Sequence, residues 1–190
     1  TQGGFYKTDL TPDWQKIRKV IDPATLKYAE YEFASFPCLE AAKKAKTLPE
    51  KMRTVVYGND KGSRFAWKAV AHNLIYAANR IPEISDTIVQ IDHALKWGFN
   101  FEMGPFETWD AIGLAKSIEK MEKDGMAVPQ KVKKMLAAGN TAFYKSENGK
   151  RLYYDFADET YKEQVVNENI ISLASLTSTG NIVKENSSVS

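Results

Sequence analysis

The run NDKGSRFAWKAVAHNLIYAANRIPEI, residues 59–84, limits what this chain can fold into more than any other segment. Ala66, Val70, Leu74, Ala77 and Ile81 recur at helical spacing and form one stripe. Phe65, Ala69, Asn73 and Tyr76 form a second stripe beside it. A helix with two adjacent stripes packs on more than one side, so it calls for other helices around it. Pro82 disfavours helical geometry at Ile81 and ends the helix.

The neighbouring segments supply those helices. Leu39, Ala42, Ala45, Leu48, Met52, Val55 and Val56 repeat at helical spacing, as one helix interrupted at Pro49 or as two. Ser85 or Asp86, or Thr87 paired with Gln90, caps a helix whose core face is Ile88, Ile91 and Leu95. Gly98 stands where a left-handed residue would close that helix, with Lys96 in the last turn. Pro105 suits the first position of the next helix, and Glu107 lies in its first turn. KSIEKMEKDG and VPQKVKKMLAAG complete the helical part. Near the N-terminus, Thr11-Pro12 and Asp22-Pro23 pair a capping residue with proline. They predict two short helices, over TPDWQKIRKVI and DPATLKYAEYEF.

After Gly139 the period changes. Aromatic residues flank Asn148-Gly149, the strongest short-range hairpin signal. Ile170–Leu176 reads as one more β-like run, and the rest is polar and Ser-rich. No clean internal repeat stands out. The expected fold is mainly α, multi-helical, with a small C-terminal β-hairpin.

At 190 residues the chain has room for one domain, with an appendage at most. A net charge of +2 and the lack of a long basic run argue against nucleic acid. No apolar stretch reaches the roughly 18 residues that span a bilayer. The first residues lack a charged-then-apolar signal pattern, and the expected location is the cytoplasm. A single cysteine, Cys38, excludes a disulfide framework and a multi-cysteine metal site.

Candidate chemistry is sparse. His93 follows Asp92, but adjacent helix positions point about 100° apart, so the pair defines no acid–base unit. His72 reads as a half-buried, satisfied side chain on the margin of the stripes. The two histidines lack the spacing of a metal motif. No nucleophile elbow and no glycine-rich strand–turn–helix loop is present. Cys38 follows Pro37 at a helix start, and a small core residue is its simplest role. Hence no catalytic, cofactor-binding or metal-ligating residue is assigned. Trp97, Phe99, Phe101, Phe106 and Trp109 lie within thirteen residues, between and beyond Gly98 and Gly104. Such a cluster is a helix-packing corner or a partner-facing surface.

The stretch IDHALKWGFNFEMGPFETWDAIGL resembles the C-terminal helical domain of 3-hydroxyacyl-CoA dehydrogenases. The signature falls on Asp92, Ala94, Gly98, Gly104, Pro105, Phe106, Glu107, Asp110 and Gly113, and the order of elements agrees from about Leu39 to Tyr144. The likeness is strongest to long fusion proteins of fatty-acid β-oxidation. Those carry an NAD-binding Rossmann domain, two helical copies and an enoyl-CoA hydratase domain.

The resemblance implies that TQGGFYK closes a first copy, that residues 1–8 are the tail of a preceding domain, and that 9–141 form the second helical copy. Residues 142–190 would then be the hairpin and a linker towards a following domain. The family's catalytic His–Glu pair and its NAD loop belong to the Rossmann domain. Its Gly-Phe-x-x-Asn-Arg pattern falls on Ser63, Trp67 and Lys68 here, so the polar contribution to the active site is lost.

The implied role is a non-catalytic domain of an NAD-dependent (S)-3-hydroxyacyl-CoA dehydrogenase. Its implied partners are the Rossmann domain and first helical copy of the same chain, with acyl-CoA as the parent's substrate and self-association open to the fragment. A stand-alone interaction module and an acyl-CoA-binding domain are the alternatives.

Overall fold

The computed structural model describes residues 4–31 and 35–165. The chain divides into two compact units, one ending at Phe36 and one beginning at Pro37.

The first unit is a three-stranded antiparallel sheet in the order β1 (Tyr6–Leu10), β2 (Lys16–Ile21), β3 (Tyr28–Glu30). The two helices expected at Thr11-Pro12 and Asp22-Pro23 are therefore strands and turns. The Thr11 hydroxyl accepts from the Gln15 amide at 3.0 Å, and the Thr11 carbonyl accepts from Trp14 at 3.0 Å. The Asp22 carboxylate accepts from the Ala24 amide at 2.8 Å. A capping residue followed by proline starts a turn as readily as a helix. What decides the matter is KIRKVI, whose β-branched residues and alternating exposure suit a strand.

The second unit holds seven helices among the described residues: α1 (Pro37–Lys43), α2 (Leu48–Val56), α3 (Lys61–Asn79), α4 (Ile88–Phe99), α5 (Pro105–Ile112), α6 (Leu114–Lys123) and α7 (Gln130–Ala137). A second antiparallel sheet follows, with β4 (Tyr144–Glu147), β5 (Lys150–Asp155) and β6 (Thr160–Glu163) in that order. The fold is mainly α, as expected. The hairpin turns on Asn148 (φ 51°) and Gly149 (φ 75°), both left-handed, and gains a third strand beyond the expected two. The β-like run at Ile170–Leu176 lies outside the described residues.

Pro49 sits in the first turn of α2, so the segment is two helices. Thr47 caps α2 in a reciprocal box with Glu50. Thr87 caps α4, and the Gln90 side chain accepts from the Ser85 hydroxyl at 2.7 Å instead of completing a box. Gly98 lies inside α4, and Asn100 (φ 56°) takes the left-handed closing position expected of it. An asparagine tolerates that conformation because its short amide can bond locally.

The core gathers Trp67, Ala71, Leu74 and Ala78 of α3, Ile88 of α4, Phe106, Trp109 and Ile112 of α5, Leu114 and Met121 of α6, and Val132 and Met135 of α7. Phe143, just ahead of β4, is fully buried among them. The second stripe of α3, with Phe65, Ala69, Asn73 and Tyr76, faces solvent. His72 is exposed, contrary to the half-buried reading, and its Nδ1 lies 2.7 Å from the Lys68 carbonyl. Cys38 is a small buried residue, and its amide donates to Asp60 at 2.7 Å.

Trp109→Ala will cost roughly 3–5 kcal/mol, because it removes a fully buried indole. His93→Ala, at a partly exposed position stacked on Trp97, will cost about 0.5 kcal/mol or less. Chemical denaturation of the two variants checks the order, which reverses if the segment is built around His93.

Candidate functional site

The signature residues meet where α4, α5 and the C-terminal sheet join. Pro105 provides the first position of α5 without needing a hydrogen-bond partner for a missing amide proton. The N-cap of α5 is Gly104, which has no side chain to accept from the helix amides. Asp92 of α4 supplies the missing acceptor. Its carboxylate takes the amides of Phe106 at 2.8 Å and Glu107 at 3.1 Å. It also takes the Tyr144 hydroxyl at 2.8 Å. A Cβ on Gly104 would lie 2.3 Å from the Asp92 Cβ and 2.4 Å from its Cα. Glycine is therefore what lets α4 reach the end of α5.

Glu107 closes the same turn. It accepts from the Gly104 amide at 3.0 Å, Lys96 at 3.1 Å and Arg151 of β5 at 2.7 Å. One turn on, Asp110 accepts from the amides of Phe143 at 2.8 Å and Tyr144 at 2.9 Å. Those bonds hold the sheet so that Phe143 packs against Phe106 and Trp109, with ring centroids 5.0 and 5.4 Å apart. The Trp109 indole donates to Ser117 of α6 at 2.7 Å. Gly113 (φ +92°) links α5 to α6 in a backbone conformation that other residues rarely adopt.

Burial pushes the Asp92 carboxyl up to about 7, against the pull of the Phe106 amide and the Tyr144 hydroxyl, and the Glu107 charge adds to the rise. Burial likewise raises Asp110 to about 6, opposed by the Phe143 and Tyr144 amides. Glu107 also feels burial, but the Gly104 amide, Arg151 and Lys96 hold it below the usual carboxylate range. Burial and the neighbouring Asp92 raise the Tyr144 hydroxyl.

The structure thus brings Asp92, Gly104, Pro105, Phe106, Glu107, Asp110 and Gly113 together and leaves Gly98 outside, on the exposed side of α4. Tyr144 and Arg151 complete the cluster. Sequence reasoning assigned them only to a hairpin, since their partners lie 52 and 44 residues away. The five aromatics of the corner divide. Phe106 and Trp109 are in the core, while Trp97, Phe99 and Phe101 are exposed.

A groove of about 450 Å³ opens beside Phe101, lined largely by apolar side chains that include Met52, Ala69, Val70 and Met103. Trp67 is buried and donates to Asp124 at 2.6 Å.

A dinucleotide site of the family kind needs a strand that enters a helix through a glycine-rich turn. Among the described residues the one step from strand to helix runs from Glu30 to Pro37, and the chain there contains no glycine. These residues do not fit NAD. No group of three metal-ligating side chains occurs among the described residues. No described helix is long and apolar enough to cross a membrane.

The second unit is a helical bundle whose α5 is held by buried carboxylates and sealed by a small sheet. Residues 65–153 match the family described as 3-hydroxyacyl-CoA dehydrogenase, C-terminal domain. Residues 65–153 carry this domain. Over 187 residues, 98% of its length, it is 41% identical to a Bacillus subtilis protein named "Probable 3-hydroxyacyl-CoA dehydrogenase". It is 27% identical over 108 residues, 56% of its length, to a Rickettsia felis protein named "Putative fatty acid oxidation complex trifunctional enzyme". The chain spans 23% and 13% of the length of these relatives. No solved structure gives a significant match.

Gly104→Ala will destabilise the domain by about 3 kcal/mol, because the new methyl meets the Asp92 backbone. The raised Asp92 carboxyl also sets a pH dependence. Its folded value, about 7, lies above the ordinary aspartate value of 3.8. Its contribution is therefore fully present below about pH 4 and is lost as pH rises through 7. Between pH 5 and 8, the native protein will lose denaturant resistance relative to Asp92→Asn. A difference that stays flat over this range removes the assignment.

Proposed function

We propose that this chain is a non-catalytic helical part of an NAD-dependent (S)-3-hydroxyacyl-CoA dehydrogenase of fatty-acid β-oxidation, fused in a cytoplasmic parent to an enoyl-CoA hydratase domain. The observation that carries the non-catalytic role is the employment of the signature carboxylates. Asp92, Glu107 and Asp110 accept from backbone amides and from residues that tie the bundle together. Perturbed carboxyls often mark catalytic sites, but burial inside this joint raises Asp92 and Asp110, and the Gly104 amide, Arg151 and Lys96 hold Glu107 low. The buried Trp67 at the family's asparagine position supports the same reading. The Rossmann domain of the parent would bind NAD and share the acyl-CoA substrate with the other helical copy.

The domain's own contribution is a surface. Ala69 and Asn73 of the exposed α3 stripe line one apolar groove together with Phe101, whose ring lies 6.0 Å from that of Phe99. Apolar patches of this kind mark contact sites. In this reading the face packs on the first helical copy of the parent.

Calorimetry of the chain with NAD, and an absorbance assay for NADH with 3-hydroxybutyryl-CoA, will show neither binding nor turnover. Micromolar NAD affinity or turnover above background overturns the non-catalytic role. Analytical ultracentrifugation will show the chain self-associating with rising concentration, or binding the first copy when it is added. A strictly monomeric chain that ignores that copy removes the partner surface.

A further inference from the structure

We propose that the outer face of α3, with the groove beside it, takes an amphipathic helix of a protein partner that carries carboxylates along one edge. This rests on the contact surface proposed above and names the chemistry of what covers it.

The α3 face carries charge of one sign. From Lys61 to Arg80 the sequence contains no acidic residue. Lys61, Arg64, Lys68 and His72 are all exposed. Arg80 is paired with Glu83 at 2.8 Å. The Asp60 carboxylate, at the N-cap, is taken by the amides of Ser63 at 2.8 Å and Cys38 at 2.7 Å. Among the described residues no carboxylate pairs with Lys61, Arg64 or Lys68. The Arg64 guanidinium turns back to the Asn59 carbonyl at 2.8 Å, which leaves Lys61 and Lys68 as the outward cations.

Successive helix positions turn by about 100°, and this fixes the order of the exposed residues around α3. Ala69 and Asn73 come first, in the lining of the groove. Phe65 and Tyr76, 76% and 60% exposed, follow. His72, Lys61 and Lys68 come last. A helix with its side chains is about 10 Å across. One laid along α3 therefore has apolar side chains over the groove, crosses Phe65 and Tyr76, and brings its far edge over the lysines. That edge is where negative charge is matched.

The groove differs on the side away from α3. Phe101 and Met103 line it there with Glu102, which is exposed and forms no ion pair among the described residues. Lysines thus lie beyond one margin and a carboxylate at another. The asymmetry orients the occupant about its own axis. Its carboxylates lie on the α3 side, its apolar residues over the groove, and acids are absent on the Glu102 side. Met52 and Met103 are flexible and polarisable, which suits a lining that receives aliphatic side chains. A flat lipid surface would meet the cations and aromatics but leave the groove unfilled, whereas an inserted helix face uses both.

The test uses two stapled helical peptides of about 15 residues, long enough to run along most of α3. They share a leucine stripe at helical spacing and differ along one edge, which carries glutamate in one and lysine in the other. Binding to the 190-residue chain is read by the anisotropy of a dye on the peptide. At low salt the glutamate peptide will bind about 10-fold or more tightly than its twin, and the margin will shrink as salt screens the charges. Lys61→Glu combined with Lys68→Glu will reverse the preference. Ala69→Trp, which fills the groove margin, will weaken both peptides. All three positions are exposed, and unchanged unfolding midpoints will show that the fold persists.

Equal binding of the two peptides, a preference that survives the double charge reversal, binding indifferent to Ala69→Trp, or no binding by either peptide overturns the inference. So does binding to anionic phospholipid vesicles in place of the glutamate peptide, which would assign the face to a membrane. A chain that binds the first helical copy of the parent equally well with and without the two lysine substitutions keeps the contact surface proposed above and removes the acidic edge. The NAD and NADH assays decide the non-catalytic role and do not bear on these peptides.

Discussion

The carboxylate of Asp92 is the bond on which the domain depends. It reaches from α4 into the first turn of α5 and takes two amides that the helix cannot pair internally. Its second oxygen also holds the Tyr144 hydroxyl of the sheet. One side chain therefore ties three elements together. Removing it would leave buried donors unpaired, and such donors cost far more than an ordinary hydrogen bond contributes. The requirement then propagates. Gly104 must lack a side chain so that α4 and α5 can approach, Glu107 must close the turn, and Asp110 must fix the strand that carries Phe143 into the core.

The same joint explains how a cluster of perturbed acids can be structural. Burial favours the neutral forms of Asp92 and Asp110, and backbone amides aimed at their oxygens oppose it. A catalytic acid needs a proton path to a ligand, whereas these carboxylates face amides and a tyrosine. The solvent-facing features lie elsewhere, on the α3 stripe and on the aromatics that end α4. Structure and surface thus divide one aromatic-rich segment between them. Phe106 and Trp109 hold the core, and Trp97, Phe99 and Phe101 remain on the outside.

The two three-stranded sheets, one in each unit, are built alike. Each sheet has an aromatic pair at the entry to its first strand, an arginine stacked on the tyrosine, and a left-handed residue in the second turn. The C-terminal sheet seals a bundle with these parts, and its Phe143 is as buried as any residue of the helices.

Much of this was legible in the sequence. The helical period of α3, Pro105 at the start of α5, Glu107 in its first turn and Asn148-Gly149 at the hairpin are local signals, whereas the second α3 stripe, expected to pack, faces solvent. The family signature also lay in one continuous stretch. What the sequence could not decide was longer in range or locally ambiguous. Thr11-Pro12 and Asp22-Pro23 suit a turn and a helix start equally, and only the pairing of Lys16–Ile21 with Tyr6–Leu10 on one side and Tyr28–Glu30 on the other selects the turns. Gly98 and Asn100 both suit a helix end, and the length of α4 chose Asn100. The roles of Asp92 and Tyr144 required partners that only tertiary packing brings within 2.8 Å across 52 residues of chain. Local propensity specifies the elements, whereas the joint between them exists only once burial has made an unpaired amide too costly to leave.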